Sequence, residues 1–300
     1  MSASGEYLLG LDLGGTRLKA LCTSLEGEEL DREVVSSAGD DWQVGVGACV
    51  EGLRAAHGEP QAIGVAAPGL AAADERSIAV MPGRLAGLEG LDWGDFLGFS
   101  GPMRVLNDAH AALLGEVWRG SARGLRDVVM LTLGTGVGGA IFSGGKLLRG
   151  HLGRAGHLGH VAIHADGPLD IVNTPGSLED AVGDHTIARR SGGRFHSTHE
   201  LVVTKREGDG EAEKVWAQMI RDLAAGVTSL INVLDPEAIV LGGGIAQAGE
   251  DLFQPLAAEL DRVEWRPTDR AVALIPAALG EWAGAFGAAY DSQPSHPSSP

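Results

Sequence analysis

The chain has 300 residues, of which 44% are hydrophobic and 21% charged, a composition typical of a globular protein with room for two domains. Its formal net charge is −17, from 40 acidic and 23 basic residues, so it repels phosphate backbones and anionic lipid surfaces. We therefore expect neither nucleic-acid nor membrane partners. The basic pairs Arg189–Arg190 and Lys205–Arg206 are isolated, and we interpret them as solvated surface.

Two further features bear on the cellular compartment. Cys22 and Cys49 are the only cysteines and form no C-x-x-C motif, so we expect reduced, buried thiols. The first ten residues have no basic segment and no long apolar core, which is unlike a signal peptide. No run approaches the ~20 apolar residues of a membrane span. These observations predict a cytoplasmic protein.

The first half of the chain alternates strand and helix patterns. "YLLGLDLGGTRLKALCTS" predicts a strand, a tight glycine turn and a second strand. A helix follows, with its buried face formed by Trp42, Val46, Cys49, Val50 and Leu53. "AIGVAAPGL" predicts a buried strand, and "MRVLNDAHAALLGEVW" a strand followed by a helix that either Asn107 or Asp108 caps.

The second half repeats this order. "VVMLTLGTGVGGAIFSGGKLL" has the same shape as the first hairpin, which indicates an internal repeat. A long amphipathic helix then ends before Pro236, and "EAIVLGGGIAQAGEDLF" predicts a strand, a glycine loop and a helix. The order predicts an α/β protein with one sheet in each half. We place a small N-terminal domain at 1–118, a larger domain at 119–280 and a disordered tail at 291–300.

Glycine-rich loops follow the first strand of each half. Gly134, Gly136 and Gly139 match G-x-G-x-x-G, but a strand rather than a helix follows, which excludes a dinucleotide-binding loop. Gly14–Gly15–Thr16 and Gly134–Thr135–Gly136 each join glycine to a hydroxyl, which suits a polyphosphate held from two sides. The alternative is that these glycines only form tight turns.

Two aspartates stand out. Asp12 ends a buried strand, where Asp is rare, and is either a Mg²⁺ anchor or a turn residue. Nearby Lys19 either pairs with phosphate or lies at the surface. Asp108 lies at a strand-to-helix junction, where it either caps the helix or accepts a hydroxyl proton during phosphoryl transfer.

The histidines of "AGHLGHVAIHADG" raise the question of a metal site. Neutral imidazole is a common zinc ligand, and His157, His160 and His164 lie close in sequence. The segment alternates like a strand, which would place the last two about 13 Å apart. A sugar contact and a solvated histidine-rich loop are the other interpretations.

The chain resembles the ROK family of sugar kinases and repressors over residues 8–290. "GLDLGGTRLKA" and "LTLGTGVGGAIFSGG" resemble its two phosphate motifs, "VLNDAHAALLGE" its catalytic segment and "DPEAIVLGGGI" its adenosine motif. The resemblance implies a two-domain actin/hexokinase-like (RNase H-like) fold, in which both domains close over a central cleft. A C-terminal helix at about 281–290 would join the N-terminal domain.

The resemblance also implies ATP- and Mg²⁺-dependent phosphorylation of a hexose, most often glucose at O6, by a homodimer. Asp108 is then the general base and Asn107 a sugar contact. Phosphates and metal would be bound by Asp12, Gly14, Gly15, Thr16, Lys19, Thr135 and Gly136, and adenosine by Gly243 and Gly244. His160 and Glu179 match further sugar-binding residues of the family.

Two departures concern the sugar. His157 occupies the place of a family glutamate, and Arg84 that of an asparagine. A kinase for another hexose or an N-acetylated hexosamine is therefore an alternative, as is a non-catalytic, sugar-responsive ROK protein. Only about nine residues precede Gly10, too few for the helix-turn-helix that family repressors carry.

A third departure concerns metal. The family's three zinc-binding cysteines align with Asp170, Val172 and Ser177, which leaves two ligands, His160 and Asp170, for a site that needs four. We predict that zinc is absent, and that Asp170 and Asn173 cap backbone amides of the loop instead.

Overall fold

The computed structural model describes residues 6–81 and 85–294, which form two units. The first contains the described residues up to Gly124, those from Ala278 onward, and Arg149–Arg154 between them. The second contains Leu125–Leu148 and Ala155–Ala277. The first unit extends beyond the expected boundary at 118 because the fully buried Glu116 carboxylate accepts a hydrogen bond from the Ser121 amide.

The first unit is built on one five-stranded sheet. Its elements in chain order are β1 (Leu8–Leu13), β2 (Arg17–Thr23), β3 (Glu29–Ser36), α1 (Trp42–His57), β4 (Ala62–Ala67), β5 (Leu70–Ala71), β6 (Ile78–Val80), α2 (Trp93–Leu97), β7 (Met103–Asn107) and α3 (Asp108–Trp118). The sheet order is β3-β2-β1-β4-β7. β1 to β3 form an antiparallel meander, whereas β4 and β7 run parallel to β1. The buried face of α1 is the predicted one.

The second unit repeats this architecture. Its elements are β8 (Val128–Leu133), β9 (Val137–Ser143), β10 (Lys146–Leu147), α4 (Leu178–Val182), α5 (Ile187–Arg190), α6 (Thr198–Arg206), α7 (Gly210–Leu234), β11 (Ala238–Gly242), α8 (Glu250–Val263) and β12 (Ala273–Pro276). The sheet order is β10-β9-β8-β11-β12. The predicted internal repeat is thus confirmed, and β9 confirms that no helix follows the 134–136 loop.

A last helix, α9 (Ala283–Asp291), covers the sheet of the first unit. It lies so close to β1, β4 and α3 that only glycine fits at the contacts: a Cβ on Gly10, Gly64 or Gly115 would lie 2.0, 1.8 or 2.2 Å from a carbonyl oxygen of α9. The alanine-rich sequence of α9 permits this approach. The N-terminal part of the chain and the described residues from Ala278 onward therefore belong to one folded unit.

The sequence prediction of a disordered tail from 291 is wrong at its first residues. Arg149 donates two hydrogen bonds to Asp291, at 2.8 and 3.1 Å, and Ser292 is buried. Arg149 also pairs with Glu75, which pairs with Arg104, so a largely buried ionic network holds this end of α9. The tail residues 295–300 lie outside the described part of the chain.

α8 contains a proline in its interior. Pro255 has no N–H, so the carbonyl of Asp251 four residues earlier loses its helical donor. The indole Nε1 of Trp216 on α7 donates to that carbonyl at 2.9 Å, which ties the two helices together.

Both cysteines are buried, as predicted. Among the described residues, no helix combines the length and apolar character that crossing a membrane requires.

Candidate active site

The first group of candidate residues lies at the carboxyl edge of the first sheet. β1, β4 and β7 are parallel, so their carboxyl ends meet at one edge, where Asp12, Asn107 and Asp108 are placed. Asp12 faces Lys19 across the β1–β2 pair, and their charged groups are 3.5 Å apart. The lysine is thus an ion-pair partner of Asp12, with little of its side chain exposed.

Asp12 has an unusual electrostatic environment. Burial raises the pKa of its carboxyl to about 6, Lys19 opposes the shift, and the negative charge of Asp108 adds to it. α9 packs directly on this side chain, since a Cβ on Gly284 would lie 2.7 Å from its Cγ. A carboxylate held in this way gains from a bound cation, and hard oxygen ligands suit Mg²⁺, which often binds through one or two carboxylates together with phosphate.

Asn107 and Asp108 lie next to each other at the start of α3. Asn107 is the N-cap of α3, and its Oδ1 accepts hydrogen bonds from the amides of Ala109 and His110. Its Nδ2 donates to the Gly69 carbonyl at 3.0 Å, which leaves one N–H for a ligand. Asp108 is the first helical residue and is exposed. The Ala109 amide also donates to Oδ1 of Asp108 at 2.8 Å, whereas the His110 amide donates to Asn107, so Asn107 holds two amides of the first turn and Asp108 shares one of them.

The Gly14–Gly15–Thr16 loop joins β1 to β2. The buried Ser37 holds it from one side: its hydroxyl donates to the Gly14 carbonyl at 2.6 Å and its amide to the Thr16 carbonyl at 3.0 Å. Since C=O and N–H point in opposite directions in a trans peptide, the Gly15 amide is directed away from Ser37. Such an amide is suited to bind an anion.

The second group of candidate residues lies at the carboxyl edge of the second sheet. β8 and β11 are parallel neighbours, so the 134–136 loop and Gly243–Gly244 lie side by side. Gly243 has a φ of +85°, and a Cβ there would lie 2.4 Å from the Leu133 carbonyl oxygen. Glycine at this position is therefore required by the fold itself, independently of any ligand.

Three other loop glycines have no such internal reason. A Cβ on Gly15, Gly134 or Gly244 would meet no atom within 4 Å, and none of them has a positive φ. Each lies in a loop at the carboxyl edge of a sheet. Their small size leaves open space beside the backbone, as close approach of phosphate requires. This distinction separates the glycines suited to a ligand from those that only shape a turn.

A cavity of about 470 Å³ lies in the second unit, next to the 134–136 loop and Gly244. Its walls include Gly134, Thr135 and Gly244, and it is also lined by Asp184, Ser197, Thr198, His199, Val202, Val203, Arg206, Ile245, Gln247 and Ala248. The volume is within the range of small-molecule sites. The hydroxyl of Thr198 is buried and has no hydrogen-bond partner among the described residues, so a ligand could supply one.

Most of these lining residues belong to no motif that the sequence shows. Lys205 and Arg206, interpreted as solvated surface, both pair with Asp251, and Arg206 also lines the cavity. Arg190 is likewise bound to the Val182 and Gly183 carbonyls, and burial lowers its pKa to about 10. A pair of basic residues is solvated only when no acidic residue of another element lies against it. The sequence alone does not show which elements lie side by side.

The predicted sugar-binding residues of the second unit lie beside the 134–136 loop. Glu179 on α4 accepts a hydrogen bond from the Val137 amide at 2.9 Å, and a Cβ on Gly136 would lie 2.3 Å from its Oε2. His160 ends a short 3₁₀ turn, Leu158–His160, that His157 precedes. The turn packs on β9 and on Glu179, since a Cβ on Gly159 would meet Val137 and Glu179.

The predicted strand through the histidines is wrong. The two histidines pair with different carboxylates: Nδ1 of His160 is 2.9 Å from Oδ2 of Asp170, and Nε2 of His164 is 3.1 Å from Oδ1 of Asp222. The backbone around them bonds to residues 176–178 with only an isolated bridge at Ala162, because the 3₁₀ turn interrupts the alternation.

Asp170 acts as predicted on the backbone of its loop. Its Oδ1 accepts hydrogen bonds from the Val172 and Thr174 amides, while its Oδ2 faces His160. These bonds and the His160 contact lower the pKa of the Asp170 carboxyl against the opposing effect of burial. The same prediction is wrong for Asn173, whose side chain accepts from no backbone amide of the described residues; it instead takes a φ of +66°, which Asn tolerates better than most residues. Among the described residues, no group of three or more His, Cys, Asp or Glu side chains is arranged to hold a metal ion. The absence of zinc stays a prediction, and Arg84 lies outside the described residues.

Comparison with known proteins identifies the family. The model of the ROK family matches residues 8–292. A glucokinase from Streptomyces coelicolor is 30% identical, with 94% of this chain and 96% of the relative covered. An N-acetylmannosamine kinase from Escherichia fergusonii is also 30% identical, with 80% and 84% covered.

A solved structure gives the same assignment. A ROK family glucokinase from Streptomyces griseus, in complex with glucose and AMPPNP, has a TM-score of 0.77 at 28% identity. The alignment covers 94% of this chain and 98% of that one. With its two repeated sheets and its glycine loops at their carboxyl edges, the chain belongs to the ROK family.

Proposed function

We propose that this chain, a sugar kinase of the ROK family, transfers the terminal phosphoryl group of ATP to O6 of glucose. The glucokinase relatives support the choice of sugar. The cavity beside Gly134 and Gly244 supports a nucleotide in the second unit. The carboxylates of Asp12 and Asp108, at the carboxyl edge of the first sheet, support Mg²⁺ binding and general-base catalysis.

The observation that carries the proposal is the position of the Asp108 carboxylate next to Asn107. Asn107 is the N-cap of α3 and accepts from two amides, whereas Asp108 accepts from the Ala109 amide through Oδ1. The adjacent carboxylate is exposed at the same edge as Asp12. A carboxylate presented in this way suits a general base that accepts a hydroxyl proton.

In the proposed mechanism, Asp108 accepts the proton of the sugar hydroxyl as that oxygen attacks the terminal phosphorus, and the bond from this phosphorus to the bridging oxygen breaks, so that ADP leaves. Asn107, His160 and Glu179 orient the sugar, with His157 as a further contact. The amides of the 14–16 and 134–136 loops bind phosphate oxygens and stabilise their charge, while Gly243 and Gly244 lie against the adenosine. When bound, Mg²⁺ would be held near Asp12 and would supply positive charge to the phosphates.

A coupled assay over glucose, mannose, fructose, allose and N-acetylated hexosamines tests the proposal. We expect glucose to give the highest kcat/KM. Asp108→Asn should lower kcat roughly 10²-fold or more, as expected for loss of a general base, with AMPPNP affinity nearly unchanged. Asp95→Asn is the matched control, because Asp95 is an exposed aspartate in the first turn of α2. Turnover near wild type in Asp108→Asn would remove it from the mechanism.

The same panel separates the alternatives. His157 offers an imidazole where the family has a carboxylate, and an N-acetylmannosamine kinase is 30% identical over 80% of this chain, against 94% for the glucokinase of the same identity. A higher kcat/KM for N-acetylmannosamine than for glucose would assign that activity instead. Sugar binding without phosphorylation of any sugar would favour the non-catalytic, sugar-responsive alternative.

A further inference from the structure

The 134–136 loop is held by a side chain that none of the motifs above includes. His185 lies in the turn between α4 and α5, and its Nδ1 is 2.8 Å from the Thr135 carbonyl oxygen. A carbonyl oxygen can only accept, so Nδ1 carries the proton and donates. The amide of His185 donates to the same oxygen at 3.0 Å, and the Asp184 amide donates to the Gly134 carbonyl at 2.9 Å. Both carbonyls of the loop are thus held from the same side.

This arrangement determines where two loop amides point. The Gly134 carbonyl shares a peptide plane with the Thr135 N–H, and the Thr135 carbonyl shares one with the Gly136 N–H. In a trans peptide the two groups are antiparallel, so both N–H groups point away from the 184–185 turn. Neither has a hydrogen-bond partner among the described residues. Successive amides directed to one side form an anion-binding concavity.

His185 is itself held in place by a buried charge. Its Nε2 is 3.3 Å from Oδ1 of Asp180, a side chain that is only 8% exposed. A carboxylate only accepts, so this contact holds the ring when Nε2 carries a proton together with Nδ1. The other oxygen of Asp180 accepts a hydrogen bond from Arg189 at 2.7 Å. Gly183 allows the imidazole to approach, because a Cβ there would lie 2.9 Å from both Nδ1 of His185 and the Thr135 oxygen. A chain of contacts therefore runs from Arg189 through Asp180 and His185 to the loop.

We infer that His185 is a positioning residue for phosphate binding, which aims the Thr135 and Gly136 amides at the nucleotide by holding the Thr135 carbonyl. The inference rests on the proposed function, in which the 134–136 loop binds the phosphates of ATP. In this role His185 acts through the loop and does not contact the reacting atoms. Its effect should therefore appear in nucleotide affinity, with sugar affinity unchanged.

Two amide substitutions separate the roles of the two ring nitrogens. The Nδ2 of Asn lies near the position of the histidine Nδ1, so His185→Asn retains a donor for Thr135. The Nε2 of Gln lies near the position of the histidine Nε2, so His185→Gln retains the contact with Asp180 and loses the donor. His164→Gln is the matched control, because His164 is another exposed histidine of the second unit that pairs with an aspartate.

The test measures the Kd of AMPPNP by titration calorimetry in the whole protein. Loss of one hydrogen bond corresponds to a roughly three- to tenfold weaker affinity, which we expect for His185→Gln. His185→Asn and His164→Gln should stay within about twofold of wild type on the same scale. The KM for the sugar should not change in any variant. His185→Ala, which leaves no buried cavity because the ring is partly exposed, should behave like His185→Gln.

Two results would overturn the inference: wild-type affinity in His185→Gln and His185→Ala, or equal losses in His185→Asn and His185→Gln. The second result would mean that the effect does not pass through Nδ1. The expected order of affinities in a protein that phosphorylates no sugar would count against the proposed function and still support the role of His185.

Discussion

At the scale of single residues, the glycines of the loops are not equivalent. Gly136 faces Glu179 and Gly243 faces Leu133, so the fold requires their small size. Gly15, Gly134 and Gly244 face open space. A substitution at Gly136 would push against Glu179, a predicted sugar contact, and would disturb two binding functions together. Gly134 offers the cleaner experiment.

We expect Gly134→Ala to raise the KM for ATP about tenfold, because a methyl group enters the space in which phosphate lies beside the backbone. Sugar affinity and thermal stability should be nearly unchanged, since the new Cβ meets no protein atom within 4 Å. Steady-state kinetics with each substrate varied in turn measure the effect.

The control for this variant is Gly52→Ala. Gly52 lies on α1, and a Cβ there also meets no atom within 4 Å. An unchanged KM for ATP in Gly134→Ala, equal to that of the control, would show that phosphate does not approach this loop.

At the scale of elements, α9 shows how glycine on one side and alanine on the other bring a helix onto a sheet. Gly64 in β4 faces the Ala288 carbonyl, and Gly10 in β1 faces that of Ala285. The family resemblance predicts a C-terminal helix that joins the first domain. The glycines of β1 and β4 that receive it could not be singled out in advance, because a glycine inside a strand does not reveal which backbone approaches it.

Gly64→Ala should destabilise the protein by about 1–3 kcal/mol or more, because the added Cβ would lie 1.8 Å from the Ala288 oxygen and α9 must shift. Equilibrium unfolding in urea measures the loss. Gly47→Ala serves as the comparison, since Gly47 lies in α1 with open space around it. That change should stabilise by about 0.5–1 kcal/mol. Equal midpoints for the two variants would contradict the close packing of α9 on β4.

At the scale of the whole molecule, Asp12 links stability to pH. Burial raises the pKa of its carboxyl to about 6 in the folded protein, from an ordinary value of 3.8. Between these values the unfolded chain releases a proton at Asp12 that the folded chain retains, so the contribution of this carboxyl to the free energy of unfolding falls as pH rises from about 4 to 6. At about 1.4 kcal/mol per pH unit, the difference between the two pKa values corresponds to about 3 kcal/mol of stability.

Asp12→Asn removes this titration. Relative to wild type, the variant should gain stability progressively between pH 4 and 6, and the difference should be constant above that range. Urea unfolding at several pH values, without nucleotide or metal, gives the comparison. Asp95→Asn, which replaces an exposed aspartate of the same unit, is the control variant. A difference between Asp12→Asn and wild type that stays constant from pH 4 to 7 would contradict the burial of the carboxyl.

Much of this architecture follows from local pattern. The apolar face of α1 and the repeated order of hairpin, helix and strand are periodic features, and each is predictable from its own segment. The cavity lined by Thr198, Arg206 and Gln247 was not predicted, because it joins segments whose proximity depends on how α6 packs on the 3₁₀ turn Ile245–Ala248 that follows β11. The role of His185 was missed for the same reason: its partner is a backbone carbonyl 50 residues away.

The position of α9 also bears on how the protein folds during synthesis. The ribosome delivers β1 and β4 early, but the helix that covers them is made only after the whole second unit. Domains usually fold in the order in which they emerge. Here the second unit can complete its folding first. The sheet face that contains Gly10 and Gly64 stays uncovered until residues 283–291 have been synthesised. The N-terminal unit of this protein is therefore completed last.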